Sequence, residues 1–509
     1  MIIKTQSAVL IGIETQLVKV ELSVRYKQTH KFSIVGMGDK SIQESRKRII
    51  AALHTVGIDL EQQDIMVNLA PAHIKKVGSH FDLAILVALL TYYKIVSFTS
   101  EYLSKAIFLG ELSFDGHINP VQGVMAIGLD CPKLGIKRLI VPLDNIKDKS
   151  DHVETIGVST VKDLIAYATK KDWKPQESPP VSESLVSYSD FKDIKGQRLA
   201  KRMLQISAAG NHNGILVGPP GSGKSMLVKA LPSIMPPLTT HEMMEVNRVY
   251  SVATEVYKGM RQERPFRNPH YGISQAGMVG GGSPLRPGEI SFSHNGVLFL
   301  DELTEFRRST IESLRQPLED RVVTISRAHG SIELPCSFLM IAAMNPCPCG
   351  NLGDNKRSCS CTPLVIYNYL KKISGPFLDR IDLQVFIQSV DISELHASTE
   401  ETSSQQLYEE VTVARDMQAG RFNNREYTNN MLTPGEIQEY AKLDISCQKL
   451  LDFAFEKFDM SMRSYHKIIR VARTIADMKG MTCIQESHLK EALMYRGIEQ
   501  KLLMLKKKL

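Results

Sequence analysis

The sequence predicts an α/β protein with a mixed N-terminal part, a core built on a parallel sheet, and a helical C-terminal part. Up to residue 170, short strand-like and helix-like segments are mixed. From about 190 to 390, apolar strand-like runs alternate with helical ones, the pattern of a mostly parallel sheet. From about 405 onward the spacing is helical, with Gly and Pro only at boundaries such as Pro434 and Gly435. At roughly 150 residues per domain, the 509 residues suit about three domains.

Composition excludes several classes. With 43% hydrophobic and 23% charged residues the chain is neither disordered nor collagen-like. A net charge of +7 permits a nucleic-acid partner without showing one, because binding depends on where the charge sits. The most apolar run, Leu83 to Tyr93, falls short of the roughly 20 residues that span a bilayer. The N-terminus carries Lys4 but no apolar region ending in a small-residue cleavage site. The expectation is a cytoplasmic protein with no membrane partner. In that reducing compartment, clustered cysteines point to metal or redox chemistry more than to disulfides.

In the N-terminal part, residues 1–170, Lys31 to Val35 and Asp64 to Leu69 read as strands. Ile42 to Leu53 and Asp82 to Leu90 have helical spacing. Residues 171–190, rich in Pro, Ser and charge and without apolar period, read as a linker.

The segment Gly218-Pro219-Pro220-Gly221-Ser222-Gly223-Lys224-Ser225 has the pattern GxxxxGK[ST]. It follows a strand-like run, Gly214 to Val217, and precedes a helical pattern from near Met226. Strand, glycine loop and helix together make a phosphate cradle, because glycines let backbone N–H groups curl around an anion. Lys224 would reach the β- and γ-phosphates of a nucleoside triphosphate, and the Ser225 hydroxyl would bind Mg²⁺.

Val297 to Leu300 reads as a strand buried on both faces that ends in Asp301 and Glu302. Asp301 would hold Mg²⁺ and Glu302 would act as general base toward water. A third strand, Phe338 to Ala343, ends in Met344-Asn345-Pro346. Asn345 either orients the lytic water or forms a turn.

Four of the eight cysteines, Cys347, Cys349, Cys359 and Cys361, are spaced C-x-C-x9-C-x-C. Two close pairs brought together by a loop rich in Gly, Asp and Asn can form a thiolate cage for structural Zn²⁺. The other reading is four reduced, unliganded thiols.

These segments resemble the AAA+ ATPases, and within them the ComM/YifB group of magnesium-chelatase-like ATPases. The resemblance is carried by Arg267-Asn-Pro-His270, Gly280 to Pro284, Arg286-Pro-Gly-Glu-Ile290, His294 to Leu303, Asn345 to Gly350 and Gly375 to Asp382. It implies an ATPase core over 191–390 with a cysteine-rich insert at 346–362, a helical lid over 391–509, and ATP with Mg²⁺ as cofactors. Arg380 then falls at the arginine finger, which reaches a neighbouring subunit's ATP, and Arg463 at the sensor-2 arginine of the lid. A finger used in trans implies a ring, usually a homo-hexamer.

Gly110 to Pro120, Val121 to Ile127 and Leu139 to Pro142 resemble the Lon-protease domain, which implies a Lon-like α+β fold. Met125 stands where that family has its catalytic lysine, and Ser79 lacks the family's serine motif. The domain is therefore expected to be inactive as a peptidase.

Two loops are candidate DNA contacts. Arg321 to Ser331 reads as a hairpin carrying Arg321, Arg327 and His329, and the insert Gly277 to Gly288 carries Arg286. Solvated loop charge is the plainer reading of both, and the basic tail Lys501 to Lys508 reads as a solvated terminus. The resemblance implies a DNA translocase that promotes branch migration in natural transformation and recombination. Its partners would be single-stranded or branched DNA and a recombinase or other DNA-uptake proteins. A chelatase-type remodeller that acts on a protein or drives metal insertion, and an ATP-dependent protease, are the competing readings.

Overall fold

The structure, a computed structural model, describes residues 2–26, 31–36, 40–60, 63–74, 76, 78–150, 152–170, 188–252, 260–282, 285–327, 330–354, 356–389, 401–458 and 460–496. Most of the expected linker, His329 and the basic tail lie outside the described residues, as does the side chain of Arg327. The chain divides into two compact units, Met1–Ser184 with Met244–Arg261, and Leu185–Met243 with Gln262–Leu509.

The first unit carries a four-stranded sheet in the order Ile2–Ile11, Glu14–Tyr26, Gln63–Ala70, Lys31–Val35. The first three strands are antiparallel neighbours and the last pair is parallel. The opening hairpin pairs Ile11 with Glu14 across a two-residue turn, where Gly12 takes φ +65°. Only glycine occupies that region freely. Helix Asp82–Tyr92 is buried from Asp82 to Leu90, which accounts for its unbroken apolar run. The buried Asp82 carboxylate is matched by Arg48, with Nε 2.6 Å from Oδ2.

A parallel three-stranded sheet, Ala106–Phe108, Arg138–Pro142 and Glu154–Val158, completes the sheets of this unit together with a small two-stranded one. Residues 244–261 join the unit through Arg248, whose Nη2 donates to both oxygens of Asp130 at 3.0 and 2.9 Å.

The second unit is built on a five-stranded parallel sheet in the order Phe266–Arg267, Val297–Leu300, Leu339–Met344, Gly214–Val217, Leu383–Phe386. Its three inner strands are buried at every residue, so they read as continuous apolar runs rather than alternating ones. Helices Ser404–Phe422, Pro434–Tyr440, Ile445–Lys457, Met462–Met478 and Glu486–Met494 follow. One hydrophobic cluster runs from Phe191 through the sheet to Tyr495, so the C-terminal helices share the core of the sheet. Among the described residues no helix is long and apolar enough to cross a membrane.

Candidate nucleotide site and thiolate cluster

Sheet register assembles the site. Val217 pairs with Met344, and Leu300 pairs with Ala342. The phosphate loop, Asn345 and the Asp301–Glu302 pair therefore emerge side by side at the carboxyl edge of the sheet, where parallel α/β sheets bind ligands. Gly218 is required by space, since a Cβ there would lie 2.4 Å from Ile387 Cγ1. Gly223 is required by conformation, at φ +84° just before helix Lys224–Ala230.

Lys224 Nζ donates to the carbonyls of Gly218 and Pro219 at 2.6 and 2.8 Å and to Asn345 Oδ1 at 3.3 Å. Burial pushes its pKa down to about 8, against the opposing pull of the Asp301 and Glu302 carboxylates. Ser225 Oγ donates to Asp301 Oδ2 at 2.6 Å. These two hard oxygens converge on one side of the cavity, a donor set that suits Mg²⁺. Glu302 takes φ +53°, a conformation uncommon for a residue with a side chain and one that collects at functional sites. The cavity has a volume of about 570 Å³ and is lined by loop residues from Pro220 to Ser225 with Asp301, Glu302, Thr304 and Asn345. That volume lies in the range of small-molecule sites.

The two arginines assigned by resemblance are together, but elsewhere. Both line a second cavity of about 560 Å³ with Glu319, Lys467 and Arg470, and neither lines the phosphate-loop cavity. Glu319 binds both, Arg380 Nη2 at 2.8 Å and Arg463 Nη2 at 3.3 Å. Among the described residues Arg380 pairs with Glu319 rather than with the acids beside it in sequence, Asp379 and Asp382. Asp382 instead accepts the Asn213 N–H at 2.9 Å and pairs with Lys467 at 3.1 Å. Glu319, Lys467 and Arg470 escaped the sequence reading because no motif surrounds them. Only a helical spacing, Arg463, Lys467, Arg470, hinted at one basic face.

Arg321 departs from expectation. The sequence pattern places it on the hairpin, but the paired strands are Val322–Arg327 and Gly330–Pro335, which leaves Arg321 at the root. There it ends helix Pro317–Asp320 at φ +58° and turns its guanidinium into the second cavity. Burial pushes its pKa down to about 10, and its Nη1 has no hydrogen-bond partner among the described residues. Arg327 is the last residue of its strand, opposite Gly330. Arg286 is exposed and lies on a short strand that pairs with Gly280–Gly281.

The four cysteine sulfurs lie within 4.8 Å of one another. Cys347 Sγ is 3.3 Å from Cys349 and 3.6 Å from Cys359, and Cys349 is 3.6 Å from Cys359. A tetrahedral set with metal–sulfur bonds of about 2.3 Å has sulfur–sulfur edges of about 3.8 Å. The observed spacing fits that figure and is too long for a disulfide. Burial pushes the Cys347 thiol up to about 12, while backbone N–H groups, first that of Asn351, draw Cys349 down to about 6.

In the first unit Met125 is buried on helix Val124–Asp130. The Ser79 hydroxyl donates to Glu111, and His80 Nε2 lies 3.0 Å from the Ala8 carbonyl. Serine and histidine thus face different partners.

The chain matches the family described as magnesium chelatase, subunit ChlI, over residues 190–395. It also matches subunit ChlI of Mg-chelatase over 18–145 and the ChlI C-terminal family over 401–496. Competence protein ComM of Haemophilus influenzae is 37% identical over 498 residues, covering 96% of each chain. The protein YifB of Escherichia coli is 35% identical over 515 residues, covering 99% of each. Lon protease 2 of Bacillus subtilis is 28% identical over 197 residues, 34% of this chain and 35% of its own. With full-length relatives and all three chelatase-type matches in order along it, the chain belongs to the ComM/YifB family of magnesium-chelatase-like AAA+ ATPases.

Proposed function

We propose that this ATPase forms a homo-hexameric ring and couples ATP hydrolysis to movement along DNA, promoting branch migration during natural transformation and recombination. The observation that carries the ring is the separation of Arg380 and Arg463 from the phosphate-loop cavity. Cations that stabilise the transferring phosphoryl group must reach it, and a neighbouring copy is the economical way to bring them there. The DNA reading rests on the relative named competence protein ComM.

In this reading Lys224 binds the β- and γ-phosphates, Ser225 and Asp301 hold Mg²⁺, and Glu302 takes the proton of the attacking water. Mg²⁺, when bound, neutralises charge on the β- and γ-phosphate oxygens. Asn345, beside Lys224, orients the water. Arg286 and Arg327 contribute phosphate contacts, which repetition around a ring would strengthen. The four cysteines hold a structural Zn²⁺, and the first unit serves assembly or partner contacts in the cytoplasm. The partners are single-stranded or branched DNA and a recombinase or other DNA-uptake proteins.

A branch-migration assay on three- or four-strand DNA with ATP, run beside Lys224→Ala, tests this function. Equal activity from both proteins would reject the motor. ATPase activity indifferent to DNA but stimulated by a protein partner would favour the chelatase-type remodeller.

A further inference from the structure

We propose that the four-cysteine site, with Zn²⁺ bound, is a positioning element of the nucleotide site that braces the phosphate loop through Gly350 and Pro220. The inference rests on the zinc reading above and adds a role for the metal.

Between Asn345 and helix Pro363–Leu370 the described residues form turns, with no strand and no helix. Such a segment has little of its own to offset the entropy of being held, and a metal that binds only the folded arrangement supplies it. Both ends of the segment meet the nucleotide cavity. Asn345, two residues before Cys347, accepts from Lys224 Nζ at 3.3 Å. Tyr369, on the helix that begins just after Cys361, shares a hydrogen bond of 2.7 Å with Thr304, which lines the cavity.

The middle of the segment touches the phosphate loop itself. Gly350 takes φ +80°, and its N–H donates to the Cys347 carbonyl at 3.0 Å. That turn brings the backbone so close to Pro220 that a Cβ on Gly350 would lie 2.6 Å from Pro220 Cδ and 3.0 Å from Cγ. On its other flank the phosphate loop meets Ile387, whose N–H donates to the Val217 carbonyl at 2.8 Å. Asp354 accepts from Ser389 Oγ at 2.8 Å, which ties the far side of the cysteine segment to the chain just beyond Ile387. The phosphate loop is therefore clasped between Ile387 and Gly350, and the clasp closes through the segment that the thiolates hold.

A phosphate loop binds through the direction of its backbone N–H groups, so a shift at Pro220 that misaligns a charge-assisted hydrogen bond to phosphate costs affinity. Loss of the metal would release Gly350 and, with it, one wall of the clasp.

The experiment uses the full chain, with zinc counted by elemental analysis and affinity read from a fluorescent ATP analogue in Mg²⁺ buffer. Wild-type protein is expected to carry one zinc per chain. Cys359→Ser/Cys361→Ser, and wild type stripped by a chelator and returned to Mg²⁺, are expected to bind ATP about ten- to a hundred-fold more weakly, the loss of one charge-assisted hydrogen bond. Zinc added back to the stripped protein should restore affinity, and a far-UV spectrum should remain native throughout. Gly350→Ala, which crowds Pro220 without removing a ligand, should keep its zinc and still bind ATP more weakly. Zinc-free protein that binds ATP as wild type does would overturn the brace and leave the metal site standing. Wild type without zinc would overturn both. Should the cysteine variant fail to fold, Gly350→Ala decides, and full zinc with unchanged affinity there would overturn the brace.

Discussion

Arg380 is joined to Glu319 by an ion pair of 2.8 Å, and the other oxygen of the same carboxylate takes Arg463 at 3.3 Å. Arg380 is nearly enclosed, 10% exposed, and its remaining N–H groups donate to the carbonyls of Arg315 and Pro376 at 2.7 and 2.6 Å. Arg463 is 57% exposed. One carboxylate thus gathers two cations from distant parts of the chain into a single positive face, held by the planar fork of one and the open reach of the other.

If that face serves a neighbour's ATP, Arg380→Ala should lower kcat by about a thousand-fold or more while ATP affinity stays near wild type. Mixing Arg380→Ala with Lys224→Ala chains should then restore part of the turnover, because each supplies what the other lacks. Mixtures no more active than their components would place Arg380 outside the neighbour's site.

Within one chain the binding and chemical roles separate. Lys224→Ala should abolish ATP binding by calorimetry. Glu302→Gln should bind ATP normally and hydrolyse it about a hundred- to ten-thousand-fold more slowly, the usual contribution of a general base. Normal steady-state turnover by Glu302→Gln would remove that assignment.

The Lys224 ammonium, pushed down to about 8 by burial, makes ATP binding depend on pH. Below that value the free site is already charged. Above it the lysine is neutral until phosphates arrive and raise its pKa again, so binding takes up a proton. ATP affinity should be flat between about pH 7 and 8 and weaken as pH rises beyond. Calorimetry in buffers of different ionisation enthalpy should report proton uptake at alkaline pH; a Kd independent of pH, with no uptake, would contradict the coupling.

His212 sets an acid limit on stability. It is fully enclosed, with Nε2 2.8 Å from Thr474 Oγ1, and burial lowers its pKa to about 4 from an ordinary 6.5. Lys467, Arg470 and Arg415 push the same way and Asp382 opposes them. Between those two values the unfolded chain takes up a proton that the folded chain refuses, so stability is complete above 6.5 and is lost as pH falls toward 4. The Tm should therefore fall over this window, and more steeply for wild type than for His212→Asn. Parallel Tm profiles for the two proteins would show that His212 does not titrate in this way.

Much of this site is visible in local sequence because its geometry is local. The Gly214–Val217 strand, the glycine loop and the helix that follows are contiguous, and their spacing is imposed by the phosphate they cradle. The strand before Asp301 is apolar at every position because it is covered on both faces. The cysteine pairs are legible for a similar reason, since a short turn can bring C-x-C to C-x-C.

Other elements left no such trace. The long strands Ile2–Ile11 and Glu14–Tyr26 carry polar residues along their length, and only their pairing marks them as strands. Residues 244–261 sit between segments of the second unit in sequence, yet pack with the first through the Arg248–Asp130 pair, which no local pattern announces. Arg321 read as hairpin charge, but the end of helix Pro317–Asp320 turned it inward.

By itself, then, the sequence determined the nucleotide loop, the acid pair, the paired cysteines and the family, each a contiguous or nearly contiguous pattern. Only the tertiary structure decided that Glu319 gathers Arg380 with Arg463 away from Lys224, and that Gly350 closes against Pro220. The reason is physical. Motifs record chemistry that neighbouring residues share, whereas an ion pair or a close backbone approach between distant segments depends on which strand lies beside which.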